Sequence, residues 1–313
     1  MKINMFQLKN FTICFLSILS IFISPSLLAQ DFTENPTKPV HDKEIDKLST
    51  LEILEDSLAF FADSMITSPM PEGKTEGNMA FIKTMKTFLK TEKSFSHPLT
   101  KLASKIIITF PPDKSFRVLS WEISQGENER RYYAVIQKSN NDFIPLIDVS
   151  DLIVRGEEDS VFQNNRWYGG LVYNILQKNI QGQEVYFFFS WNGSSFNAEK
   201  KIIDVFGFDQ NNKAVFGAPL FRILEKGMAK NVNRFVLTYQ RNSIVSLNFD
   251  DKMDKVIFDH CESQIGDPLK KYTYVPDGTY DGLSWNGQQW IMSTNVIDIV
   301  PLTDAPLEKP LKK

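Results

Sequence analysis

Side chains able to do chemistry are scarce in this chain of 313 residues: histidines stand only at positions 41, 97 and 260, and cysteines only at 14 and 261. A zinc centre takes about four N, S or O ligands. Asp259-His260-Cys261 places three such types together, but successive strand residues point to opposite faces, so these three cannot all reach one ion. The same geometry separates Cys261 from His260 as nucleophile and base, leaving His41 or His97 for that role. Carboxylates remain. Asp277, Thr279 and Asp281 repeat the i, i+2, i+4 oxygen spacing of a calcium loop, yet Gln288 stands where its bidentate Glu belongs. Pro276-Asp277-Gly278 is also a turn signature by itself. Glu157-Glu158-Asp159 and Asp250-Asp251 with Asp254 read as solvated turns. No metal, no cofactor and no catalytic residue is therefore expected.

The chain has no G-x-S-x-G elbow, no phosphate-binding G-x-x-x-x-G-K-[ST] loop and no H-E-x-x-H pair. Aromatic rings are the remaining recognition groups, because they bury much area at low entropy cost. Trp167, Tyr168, Trp285 and Trp290, with the carboxylates Asp277 and Asp281, form the candidate binding set. Most rings of a β-rich protein lie in its core.

The elements that must position these groups begin after a targeting segment. Lys2 and Lys9 precede an apolar run over residues 11–23, too short to cross about 30 Å of hydrocarbon at 1.5 Å per residue. Ala29 then offers a small residue for cleavage, so residues 1–29 are expected to be a signal peptide. Its removal takes two lysines and no acid, moving the net charge from −3 to −5. No basic patch stands out, so no nucleic-acid partner is expected. Nor is a membrane-spanning segment expected once the signal is cleaved. Cys14 leaves with the signal, and Cys261 becomes a lone strand thiol.

Residues 30–43 read as a flexible leader, and 44–96 as a helical hairpin. Leu51, Leu54, Leu58, Phe61 and Met65 step by three and four along one stripe, and Ser49 with Glu52 matches a capping box. Pro69, Pro71, Gly73 and Gly77 are expected to break the chain before a second helix over 78–93, faced by Met79, Ile82, Met85 and Leu89. From 100 to 300, short runs rich in Ile, Val, Phe and Tyr recur between turn words, the sign of an antiparallel β domain. The last residues, 301–313, read as a tail. The fold class is mainly β with an N-terminal helical hairpin: an antiparallel meander closing as a sandwich or irregular barrel, with a propeller-like arrangement as the alternative.

Ser190-Trp191-Asn192-Gly193 recurs as Ser284-Trp285-Asn286-Gly287. Asn-Gly favours two-residue hairpin turns, which would pair Phe189 with Phe196 and Leu283 with Trp290. The spacing of 94 also raises a duplicated unit.

Four stretches carry a resemblance: Arg117-Val118-Leu119-Ser120-Trp121, Trp167-Tyr168-Gly169-Gly170, Phe216-Gly217-Ala218-Pro219-Leu220-Phe221 and Pro276-Asp277-Gly278-Thr279-Tyr280-Asp281. In these words the chain resembles a group of exported, β-rich Bacteroidetes proteins to which no activity is attached. The resemblance implies export into, onto or beyond a Gram-negative envelope. The function expected is a non-enzymatic binding module for an envelope protein or glycan. The alternative is a carboxylate-dependent hydrolase acting on envelope polymers through Asp277 and Asp281.

Overall fold

Ser49 opens the first helix by reciprocal capping: its Oγ accepts from Glu52 N at 3.3 Å, and Glu52 Oε2 accepts from Ser49 N at 2.6 Å. The computed structural model describes residues 49–297 apart from 125, 127, 128, 154, 155 and 226. The expected signal peptide, leader and tail lie outside the described residues, as do positions 44–48 of the hairpin. Among the described residues no helix is long and apolar enough to cross a membrane.

Helix α1 (Thr50–Thr67) and helix α2 (Pro71–Lys90) form the helical hairpin. α2 starts seven residues before its expected position. Pro71 sits in its first turn, where the missing N–H costs nothing, so it starts the helix rather than breaking it. Gly77 lets the helices close up, since a Cβ there would lie 2.9 Å from Met65 N. The inward face of α2 is centred on Phe81, Met85 and Phe88, while Met79 and Ile82 point outward.

Sixteen strands follow among the described residues: β1 (Ile107–Thr109), β2 (Phe116–Ser124), β3 (Arg130–Lys138), β4 (Phe143–Asp148), β5 (Arg166–Trp167), β6 (Leu171–Ile180), β7 (Gln183–Asn192) and β8 (Ala198–Phe208). Next come β9 (Ala214–Phe216), β10 (Phe221–Glu225), β11 (Met228–Val232), β12 (Arg234–Gln240), β13 (Leu247–Asp250), β14 (Lys255–Ser263), β15 (Tyr274–Trp285) and β16 (Trp290–Ser293). They build three sheets: β1-β2-β3-β4-β5, β12-β8-β7-β6 with β9 beside β8, and β11-β10-β16-β15-β14-β13. Pairing is antiparallel except between β4 and β5 and between β10 and β16.

Three apolar interfaces stack these parts in four layers. The helical hairpin packs through Leu58, Phe81 and Phe88 on Leu119, Trp121 and Val135 of the first sheet. The opposite face of that sheet, with Phe116, Val118 and Ile136, meets Phe188, Ile202 and Phe206 of the second. The second sheet turns Phe187, Phe189 and Ile203 to Phe221, Phe258, Leu283 and Trp290 of the third. Successive phenylalanines of β7 thus serve different cores, the period-two alternation of a strand buried on both faces. The sheets stack as a sandwich; among the described residues no sheet closes into a barrel and none is a propeller blade.

Two polar struts fasten the outer layer. Buried Glu55 accepts from His97 Nε2 at 2.6 Å and from the Lys101 and Leu102 amides at 2.6 and 3.3 Å. Arg117, 1% exposed, donates to the carbonyls of Ser94 and His97 and to Gln137 Oε1; burial pulls its pKa down to about 10.

The Asn-Gly words do not make two-residue turns. In the first hairpin Asn192 pairs with Lys200 and Phe189 with Ile203, which leaves Phe196 exposed in the loop. Asn192 is buried instead, donating to Gly169 O, while Gly193 N donates to Tyr132 Oη. In the second hairpin Trp285 pairs with Trp290 and Leu283 with Met292, around a four-residue loop in which Asn286 Oδ1 accepts from the amides of Gln288 and Gln289. One word therefore sits in two different structures, because its side-chain contacts differ. The two-residue turn occurs elsewhere, at Gln181-Gly182, where both residues take positive φ.

Candidate functional site

The irregular pairing of β14 with β15 builds the site. Asp259 pairs with Tyr280 and Cys261 with Pro276, so His260 alone faces Asp277, Gly278 and Thr279. This bulge re-aims the side chains beside it. Gly278 takes φ +92, a backbone state that suits glycine. Asp277 Oδ1 then accepts from Thr279 N and Thr279 Oγ1, each at 2.8 Å, which fixes the carboxylate beside His260.

His260 is held from one side and open on the other. Its Nδ1 lies 2.8 Å from Asp281 Oδ2, and Asp281, 2% exposed, accepts with Oδ1 from Asn295 N at 3.1 Å. The other ring nitrogen, Nε2, lies 3.7 Å from Glu262 Oε1 and 4.0 Å from Asp277 Oδ2. His260 and Glu262 are two apart on one strand, the spacing that sends side chains to a common side. Partial burial disfavours the imidazolium, but the bond and charge of Asp281, then the charges of Asp277 and Glu262, outweigh it and raise the His260 pKa. Burial likewise opposes ionisation of Asp277, and the two bonds from Thr279 with the charge of His260 win, lowering its pKa.

His260 and Asp281 also border a groove of about 380 Å³ between the second and third sheets. Its walls are largely apolar, with Ile223, Leu224, Leu237 and Met292, and Glu158 and Lys271 add a charged pair 3.2 Å apart. The volume falls within the range of small-ligand pockets.

Of the six candidate binding residues, the structure brings Asp277 and Asp281 together on this site and places the rings elsewhere. Trp167, Tyr168 and Trp290 are 2%, 4% and 1% exposed, so they pack cores and offer no face to a ligand. Trp285 is half-buried and packs on Phe187 and Trp290. Asp277 and Asp281 do not form a free acid–base pair, because both oxygens of Asp281 are taken and its side chain is buried. In the acidic run at 157–159, Glu157 and Glu158 are half-buried and paired with Lys200 and Lys271, while Asp159 is solvated as expected and also pairs with Lys230. His260 is weighed in the sequence only with its immediate neighbours and set aside, and Glu262 goes unnoticed, although the H-x-E spacing on a strand is there to be read.

Cys261 lies on β14 next to this cluster, buried against Tyr239 and Val245. Compared with known proteins, the chain matches no family model, no curated protein and no solved structure.

Proposed function

We propose that this chain is an exported binding module of the bacterial envelope, without turnover of its own, that takes its ligand in the groove beside His260. The observation that carries this reading is the convergence of a buried-carboxylate–imidazole pair on an apolar groove of about 380 Å³. No serine, threonine or cysteine is hydrogen-bonded to His260 among the described residues, whereas an activated nucleophile needs a base within hydrogen-bond reach. The mixed apolar and polar lining suits a polypeptide segment better than a glycan, because Trp167, Tyr168 and Trp290 are buried away from any sugar.

The test compares the purified protein with Leu224→Asp and His260→Ala, both checked for folding by circular dichroism. Each is immobilised and exposed to envelope extract, and each is assayed on peptidoglycan, glycans and esters. Leu224 is 44% exposed, so a charge there changes the groove and spares the core. A polypeptide retained by the wild type and lost from both variants, without turnover, is expected. Turnover that His260→Ala abolishes would make the protein a hydrolase, and retention indifferent to both substitutions would remove the ligand from the groove.

A further inference from the structure

We infer that His260, Glu262 and Asp277 bind a divalent transition-metal cation of the zinc type, with Asp281 as the positioning residue behind the imidazole. The inference deepens the proposed binding site, sharing His260 with the groove. Its own basis is the donor set. His260 Nε2 and a carboxylate oxygen from each of Glu262 and Asp277 all lie within 4.8 Å of one another.

Zinc bonds of about 2.0–2.2 Å put neighbouring tetrahedral ligand atoms about 3.3–3.6 Å apart. The observed 3.7 and 4.0 Å from Nε2 to the two carboxylates exceed that spacing by only a few tenths of an ångström. Glu262 is the part free to close, with its side chain 69% exposed, while Thr279 holds Asp277 by Oδ1 and leaves Oδ2 on the imidazole side. The imidazole is the part already fixed. A ligating histidine usually gives its second ring N–H to a carboxylate, which sets the tautomer and orientation. Asp281 does this at 2.8 Å, and Asn295 N holds Asp281 in turn.

Charge points the same way. One imidazole faces three carboxylates, so the cluster carries excess negative charge whether or not His260 is protonated. A dication on Nε2 neutralises more of it than a single proton does. The set of one nitrogen and two oxygens suits zinc or manganese; magnesium and calcium prefer oxygen alone, and soft copper(I) prefers sulfur. Three protein ligands leave a fourth position for water or a ligand oxygen.

Adjacent residues of β14 cannot share an ion, but His260 and Glu262 are alternate residues, and the bulge supplies Asp277 from β15.

The test is calorimetric titration of the tag-free, chelator-treated full chain with zinc chloride, beside Glu262→Gln, Asp277→Asn, the double variant and Asp281→Asn. One zinc per chain is expected, with a melting temperature raised by several degrees on saturation. Each ligand substitution should weaken binding at least tenfold. Asp281→Asn should weaken it about 10–100-fold, as loss of such an outer partner does, while the cobalt(II)-loaded protein keeps its visible absorption bands. Calcium and magnesium should bind far more weakly. No zinc binding would mean that His260 is an ion-paired imidazolium only, and binding undiminished in the double variant would put the ion elsewhere; either overturns the inference. Zinc alone is the probe, so failure here leaves the groove to its own test.

Discussion

Cys261 is 8% exposed on β14, and burial pushes its thiol up to about 12, with the charges of Asp259, Asp277 and Asp281 acting in the same direction. The reactive thiolate is then scarce at pH 8. Iodoacetamide should label Cys261 slowly in the native protein and quickly in urea, and Cys261→Ser should fold normally. Fast native labelling, or a disulfide-linked dimer, would contradict this. Asp113 offers a second residue-scale test. Partial burial raises its pKa, but Ser115 N, Ser115 Oγ, Tyr186 Oη and Gln177 Nε2 all donate to it, and together they hold the pKa low. A depressed carboxylate stabilises the fold above its unfolded pKa of about 3.9, and that stability is lost as pH falls through the folded value. Asp113→Asn should therefore lower the melting temperature more near neutral pH than at an acid pH below the folded value. An equal loss at both pH values would contradict the assignment. At this scale the sequence revealed Cys261, Asp277 and Asp281 but not their partners, because Asp281 meets His260 only through strand pairing 21 positions apart.

The bulge between β14 and β15 is the element on which the candidate site depends. Gly278→Val would hold a β-branched side chain at φ +92, at an expected cost of about 1–3 kcal/mol. Urea unfolding would read the cost, and zinc titration of the folded variant would read the displacement of Asp277. A variant as stable as wild type would mean the bulge does not need this conformation. The turn signature at 276–278 was legible, but its setting was not: it lies inside the twelve-residue strand β15 rather than between two strands. Turn chemistry fixes local φ and leaves pairing to the neighbours. The same limit explains α2, whose Pro71 and Gly77 read as breaks although one starts the helix and the other fits against Met65. Strands β9, β10 and β11 leave little signal in the sequence, because they are three to five residues long, and β10 and β11 are largely exposed beyond Phe221 and Val232. The capping box and the stripe of α1, by contrast, depend on neighbours within one turn and were legible directly.

Across the whole molecule, the second sheet is the layer that the others cover. Val185-Tyr186-Phe187-Phe188-Phe189 is an unbroken apolar run, the pattern of a strand buried on both faces, and it was the available signal for a third sheet. Helical hairpin and β class were legible from periodicity; the order of layers was not, since it depends on which faces meet. Phe187 and Phe188 face different cores at 0% and 1% exposure, so Phe187→Ala and Phe188→Ala should each cost about 3–5 kcal/mol. A cheap substitution at either position would mean that one face of the sheet is open. On the proposed reading a ligand occupies the groove between the second and third sheets, beside His260. Site-specific photo-cross-linking in cells would capture it, with a benzophenone side chain at Leu224 in the groove and, as control, at Phe196, which is 74% exposed outside it. A discrete adduct from Leu224 that disappears with His260→Ala, and none from Phe196, is the predicted result; adducts equal at both positions, or present only at Phe196, would contradict it.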